Sequence, residues 1–453
     1  MSSSSLPSYF PSEWRFGTDG IRGPIESKMN PLFMVKLGWA AGKVLKENGI
    51  EGILIGKDTR ISGYMIESAL ESGFISAGID VTLVGPMPTP GVAYLAKSTD
   101  QAGIVISASH NRFSDNGIKF FSKEGFKFDY ELEKKIEVTL LEESSVVESS
   151  KLGKASRLVD AQERYIEFCK SNSPNLDLTG LSLVIDCANG ANYMIAPRVF
   201  NDLGAKVISI STSPDGTNIN EKCGSTHPEK LIESVLSNKA DLGIAFDGDG
   251  DRLLFVDKLG KELDGDDLLY VLISRSVSED NIEPYKGIVG TLMTNKSLEL
   301  FLHKEGIEFH RTDVGDKYIL RALKERNWIL GGEPSGHIIC LDQTTTGDAL
   351  IASLKILESL KGLNFDISKV LSSFNKLPQK LISFEVNNAQ KVIMNSSVRS
   401  EVSNLERKLG EKGRVLIRPS GTEDLIRVMV EASSKELADN FAEELSQFIK
   451  KVA

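Results

Sequence analysis

Between residues 52 and 140, short β-rich runs ("GILIG", "DVTLVG", "AGIVISAS", "GIKFFS") alternate with helix-length segments such as "GYMIESALESGFISAG". That alternation predicts an α/β unit. Residues 182–257 repeat the plan: "LSLVIDC", "ADLGIAF" and "LLFVD" read as strands, "APRVFNDLG" and "PEKLIESVLSN" as helices. Residues 265–361 repeat it again, with strands at "GIVGTLM", "WILGGE" and "HIIC" and helices at "DDLLYVLISRSV", "KSLELFLHKEG" and "GDALIASLKILESLKG". The last stretch changes character. Strand-like "LISFEV", "RVLIRPS" and "LIRVMVEAS" combine with an amphipathic segment at 397–410 and a C-terminal helix at 435–450, an α+β pattern. The expected fold is α/β: three tandem α/β domains with mixed sheets plus a smaller C-terminal α+β domain, arranged around a central cleft. The polar, serine-rich "EESSVVESSKLGKAS" reads as a linker or surface excursion. It sets the first boundary near residue 153, and the repeated plan then places the units at 1–153, 154–256, 257–372 and 373–453.

Length and composition narrow the picture. A chain of 453 residues exceeds what one core supports. Its 41% apolar and 26% charged residues are ordinary for a globular protein, and no run approaches the ~20 apolar residues of a membrane span. A net charge of −10 spread along the chain argues against a broad nucleic-acid surface. Cys169, Cys187, Cys223 and Cys340 lie far apart with no CxxC, as expected of buried thiols in a reducing cytoplasm. The start, "MSSSSLPSYFPSEWR", has neither a basic region nor an apolar core of signal type, so it reads as a polar arm without export.

Four loops at strand ends carry the chemistry, where open α/β sheets hold ligands. In "GIVISASHNRFSDNGIKFF" Ser109 adjoins His110, yet the G-x-S-x-G elbow of serine hydrolases is absent. Adjacent residues of an extended segment point to opposite sides, which disfavours His110 as the base for Ser109. A capped turn is the other reading. In "AFDGDGDRLLF" the alternating Asp247, Asp249 and Asp251 would repel one another unless a divalent cation neutralised them. Oxygen-only donors favour magnesium, and the EF-hand pattern fails at Arg252 and Lys258. In "GGEPSGH" Glu333, Ser335 and His337 can hydrogen-bond sugar hydroxyls, or form a polar turn. In "RPSGTEDLIR" Arg418, Ser420, Gly421, Thr422 and Arg427 suit a phosphate dianion, or a hairpin turn with surface arginines.

In order and spacing these loops resemble the α-D-phosphohexomutase superfamily across essentially the whole chain, and "FGTDGIRG", Phe16 to Gly23, resembles the signature of its glucosamine-phosphate branch. The resemblance implies that Ser109 carries a phosphoryl group, that phosphoserine 109 and the three aspartates hold one Mg²⁺ per chain, and that Glu333 and Ser335 hold sugar hydroxyls. It implies that Arg418, Ser420, Gly421, Thr422 and Arg427 clamp the phosphate that is not reacting. Lys119, His337 and His110 are then the candidates to move protons, the first two favoured. Arg22 and Arg252 would stabilise the transferring phosphoryl group, and Lys317 in "RTDVGDKY" would touch the reacting end of the substrate.

The implied reaction interconverts glucosamine 6-phosphate and glucosamine 1-phosphate through a 1,6-bisphosphate, for UDP-N-acetylglucosamine and cell-wall precursors. Glucosamine 1,6-bisphosphate or a kinase would prime Ser109. A cytoplasmic homodimer acting on a small hexosamine phosphate, with no nucleic acid or membrane partner, completes that expectation. Arg112 and Pro334 depart from the family pattern, which has proline and commonly glutamine there. A phosphomannomutase/phosphoglucomutase and a non-catalytic sugar-phosphate-binding protein are the alternatives.

Overall fold

The computed structural model describes residues 9–12, 14–17, 19–278, 284–419 and 425–452. Its first sheet contains β1 (Ile21–Pro24), β2 (Gly52–Lys57), β3 (Asp80–Pro86), β4 (Ala102–Ile106), β5 (Asp115–Phe121) and β6 (Ala155–Arg157), ordered β1-β5-β4-β2-β3-β6. Strands β4, β2, β3 and β6 run parallel, while β5 turns back against β4 and β1 against β5. The second sheet holds β7 (Ser182–Asp186), β8 (Lys206–Ile210), β9 (Leu242–Phe246), β10 (Leu253–Asp257) and β11 (Glu262–Leu263), ordered β11-β10-β9-β7-β8. The third holds β12 (Gly287–Thr291), β13 (Glu308–Thr312), β14 (Leu330–Gly332) and β15 (Ile338–Cys340), ordered β13-β12-β14-β15.

One device recurs in all three. A fully buried parallel strand, β4, β9 or β14, ends in a polar loop and returns as an antiparallel neighbour, β5, β10 or β15. A strand with both faces covered reads as a continuous apolar run, which is why "GIVI", "LGIAF" and "ILGG" stand out in the sequence. The three loops so formed hold Ser109, the aspartates and Glu333. The fourth sheet, β16 (Gln379–Glu385), β17 (Arg414–Pro419) and β18 (Leu425–Glu431), is antiparallel in the order β16-β18-β17.

One continuous apolar core links the first three units through Leu54, Tyr165, Phe246, Leu269 and Leu350, while the fourth has its own around Val428 and Leu445. The cysteines are buried and unpaired. Among the described residues no helix is long and apolar enough to cross a membrane.

One local reading gains detail and two need revision. The serine-rich excursion is a bound strap: Trp39 Nε1 donates to the Ser145 carbonyl at 2.7 Å, and the amides of Val147 and Gly153 bond the carbonyls of Ser76 and Ile75. Its end, β6, lies beyond residue 153 yet pairs with β3 of the first sheet. "RTDVGDKY" is only in part a loop, since Arg311 and Thr312 end β13 and Asp316 opens the helix Asp316–Arg326. That helix and the half-polar strands β8 and β13 escaped the pattern because their runs are short and interrupted by charge.

Candidate active site

Ser109 sits just past β4 with φ of +50°, so it is left-handed rather than extended. That overturns the expectation that Ser109 and His110 face apart: the His110 Nδ1 lies 3.3 Å from the Ser109 hydroxyl. The same hydroxyl donates to Asp247 Oδ2 at 2.6 Å, joining the first and second units. Asp247, Asp249 and Asp251 each present a carboxylate oxygen within 4.8 Å of the others, and all three are buried. Asp247 Oδ1 accepts from the amides of Gly250, Asp251 and Arg252 at 3.0–3.2 Å. Among the described residues Asp249 Oδ1 and Asp251 Oδ1 have no hydrogen-bond partner. Burial, then its two neighbours, pushes the Asp247 carboxyl well above the usual range. Orphaned oxygens on a buried, oxygen-only triad are what a hard divalent cation satisfies.

Beside the triad runs a closed ring of alternating acidic and basic side chains. Lys119 Nζ lies 2.8 Å from Asp249, 3.4 Å from Asp251 and 3.2 Å from Asp19. Asp19 pairs with Lys127, Lys127 with Asp316, and Asp316 lies 3.9 Å from His337 Nε2. His337 Nδ1 closes the ring at 3.8 Å from Asp251. Burial opposes the charge on Lys119, but Asp19, Asp249 and Asp251 outweigh it and hold the ammonium well above its ordinary range. Burial likewise opposes the charge on His337, and Asp251 and Asp316 raise it. His110 differs: burial, Arg252 and Arg22 depress it to about 4, which leaves a neutral imidazole at neutral pH.

Arg22 donates to Asp19 at 2.7 Å and Arg252 Nε lies 3.8 Å from Asp251, and among the described residues the Nε of each is buried without a hydrogen-bond partner. Glu333 accepts from the Gly315 amide at 2.9 Å and from the Ser335 hydroxyl at 3.2 Å, so its loop is braced by the start of the helix that carries Asp316. Lys317 is exposed, with its ammonium 5.3 Å from the Tyr318 ring. It lines a cavity of about 540 Å³ that also reaches Lys119, Lys127 and Asp19. On the fourth sheet Arg418 and Arg427 face each other across β17 and β18. Burial and then the Arg427 charge lower the pKa of Arg418. Like charges in register are unfavourable, and two opposed guanidinium forks suit an anion. Ser420, Gly421 and Thr422 lie outside the described residues.

Local pattern did not point to Lys127 or Asp316, and the reading of the loops passed over Arg60 and over Asp19 within "FGTDGIRG". Arg60 follows β2 in "GKDTRISG", a polar run at the end of a parallel strand, and so carried the same signal as the other loops.

Four family descriptions cover the chain: phosphoglucomutase/phosphomannomutase alpha/beta/alpha domain I matches residues 14–146, domain II 163–260, domain III 264–377 and the C-terminal domain 381–447. Curated relatives include the phosphoglucosamine mutases of Alcanivorax borkumensis, 51% identical over 96% of this chain and 98% of that protein, and of Aeromonas hydrophila, 52% identical over the same shares. In fold the chain is similar to a phosphoglucomutase/phosphomannomutase family protein of Burkholderia thailandensis, with a TM-score of 0.82 at 24% identity over 97% of this chain and 98% of that one. It is also similar to Aspergillus fumigatus N-acetylphosphoglucosamine mutase, solved with GlcNAc-6P and magnesium, with a TM-score of 0.67 at 17% identity over 96% and 95% of the two chains. The chain belongs to the phosphoglucomutase/phosphomannomutase family of α-D-phosphohexomutases.

Proposed function

We propose that the chain interconverts glucosamine 6-phosphate and glucosamine 1-phosphate, with Ser109 as the residue that carries the phosphoryl group. The observation that carries this reading is the approach of the Ser109 hydroxyl to 2.6 Å from Asp247, beside carboxylate oxygens that no described residue hydrogen-bonds. Relatives at about half identity over nearly full length are phosphoglucosamine mutases, which supports the sugar. Asp247, Asp249 and Asp251, with an oxygen of the phosphorylated Ser109, would hold one Mg²⁺. Bound there, the ion neutralises charge on phosphoryl oxygens.

In the first half the substrate hydroxyl attacks phosphorus. The bond from phosphorus to Ser109 Oγ breaks as the bond to the sugar oxygen forms. His337, in the loop that also carries Glu333, takes the hydroxyl proton, and Lys119, held as an ammonium on the side of the aspartates, gives one to Ser109 Oγ. Arg22 and Arg252 face the charge that develops. The bisphosphate turns over within the cleft, and its other phosphate returns to Ser109 with both proton movements reversed, so each half restores what the other spent. Arg418 and Arg427 grip the phosphate that is not reacting, while Glu333 and Ser335 hold ring hydroxyls in both orientations. Glucosamine 1,6-bisphosphate or a kinase supplies the first phosphate.

The test is the intact mass of the protein before and after incubation with glucosamine 1,6-bisphosphate and Mg²⁺, with Ser109→Ala as control. A phosphate of about 80 Da, present or gained, that Ser109→Ala abolishes is the expected result. No phosphate on either protein sinks the reading. Competition among glucosamine, glucose and mannose 6-phosphates then ranks the sugars.

A further inference from the structure

Ser109 is held from below. Arg60, fully buried, uses all five N–H groups of its guanidinium. Its Nε donates to Asp58 at 2.8 Å, one terminal nitrogen to the carbonyls of Ser109 and Asn111 at 2.9 and 2.8 Å, and the other to the carbonyls of Asp115, at 3.2 Å, and Arg112. From the second unit Asn220 Nδ2 reaches the same Ser109 and Asn111 carbonyls at 2.8 and 3.0 Å. The Ser109 amide donates to Ser107 Oγ at 2.9 Å, and that hydroxyl donates to Asp58 at 2.6 Å. Both peptide groups of Ser109 are therefore pinned. Gly248, between the first two aspartates, closes over the clamp: a Cβ there would lie 2.7 Å from both Asn220 Nδ2 and the Ser109 carbonyl.

We propose that Arg60 and Asn220 are positioning residues for phosphoryl transfer, which turn the Ser109 carbonyl down into the clamp and so aim its side-chain oxygen at the aspartates and the substrate. A non-glycine residue at φ of +50° persists only where its surroundings over-determine it. Here seven hydrogen bonds from two side chains converge on the loop and its aspartate anchor. Transfer is sensitive to ångström displacements of the reacting oxygen, so a residue that never touches substrate can still set the rate. The clamp also accounts for Arg112: the loop needs no proline ring for rigidity, because the Arg112 carbonyl is itself held by Arg60. The inference rests on the mutase reading.

Asn220 is itself left-handed, at φ of +57°, so Asn220→Gly removes the carboxamide and keeps the backbone. Arg60→Lys keeps the charge and loses the fork. Both variants and the wild type would be compared for kcat and KM on glucosamine 1-phosphate, for melting temperature, and for the ³¹P chemical shift of phosphoserine 109. The expected result is a fall in kcat of roughly 30- to 100-fold with KM changed less than about threefold, and a displaced ³¹P resonance in a folded variant. A folded variant with wild-type kcat and resonance overturns the proposal, as does a rise in KM alone. If neither variant folds, the pair is a pin of the fold and the proposal falls. A wild-type protein that never carries phosphate refutes the mutase reading instead, which the mass measurement detects separately.

Discussion

Gly336 shows how narrowly the loops meet. It lies at φ of +85°, and a Cβ there would lie 1.8 Å from the Leu253 carbonyl oxygen, which is backbone and cannot swing away. Gly336→Ala should lower the apparent melting temperature by roughly 5–10 °C and raise KM through the displaced Glu333 loop. An unchanged melting curve and KM would contradict the close approach. The aspartates make a second prediction. Chelation should abolish turnover and Mg²⁺ should restore it, because among the described residues no group hydrogen-bonds Asp249 Oδ1 or Asp251 Oδ1. Turnover that survives complete chelation would remove the metal from the account. Ser109, the aspartates, Glu333 and Arg418 were legible in the sequence because each stands where an apolar run stops and polar residues crowd in, and Arg427 because it is a lone charge inside an apolar strand. Lys127, Asp316 and Asn220 were not, since their partners lie more than 100 residues away and no local pattern encodes such a meeting. His110 was misread for a local reason, the left-handed turn at Ser109.

Among the elements, the helix Ala349–Leu360 ties two units to the aspartate loop. Its N-cap Asp348 accepts from the amides of Leu350 and Ile351 and from the Tyr165 hydroxyl at 2.9 Å, while the Ala349 amide donates to the Gly250 carbonyl. Burial outweighs these bonds and pushes the Asp348 carboxyl up to about 6. Because that lies above the unfolded value, the folded chain keeps a proton that the unfolded chain has already lost. The stabilisation is complete below about pH 4, declines as pH rises, and is gone above about 6. Asp348→Asn keeps the cap and cannot ionise. Relative to wild type its unfolding free energy should improve by up to about 3 kcal/mol between pH 4 and pH 7. Parallel pH dependence in the two proteins would show that the carboxyl titrates normally. Most strands and helices were readable from periodicity. The strap at 142–154 was not, because polar residues that bind backbone carbonyls look the same in sequence as polar residues left in water.

Across the whole molecule, the fourth unit has a separate core, and the Arg414–Glu431 pair at the ends of its strands joins its sheet to the third unit. Glu431, fully buried at the end of β18, receives two bonds from Arg414, at 2.8 and 2.9 Å, and one from the Lys296 amide at 3.0 Å. Arg414 also donates to the carbonyls of Leu292 and Thr294, just past β12, at 2.7 Å each. These bonds fix how β17 and β18 stand against the third unit, and with them the opposed Arg418 and Arg427. No periodicity could have revealed this, since it depends on two strand ends meeting a loop of another domain. Arg414→Ala leaves Glu431 buried without its counter-charge, a loss of about 3–5 kcal/mol at the junction. The other three units keep their core, so the damage should fall on docking rather than on chemistry: KM for the sugar phosphate should rise by about tenfold or more, with kcat reduced less. Amide exchange should quicken in β17 and β18 and stay slow in β4 and β9. If kcat fell with KM unchanged, the junction would be acting on the transfer step itself, and the fourth unit could no longer be regarded as a separately docked clamp.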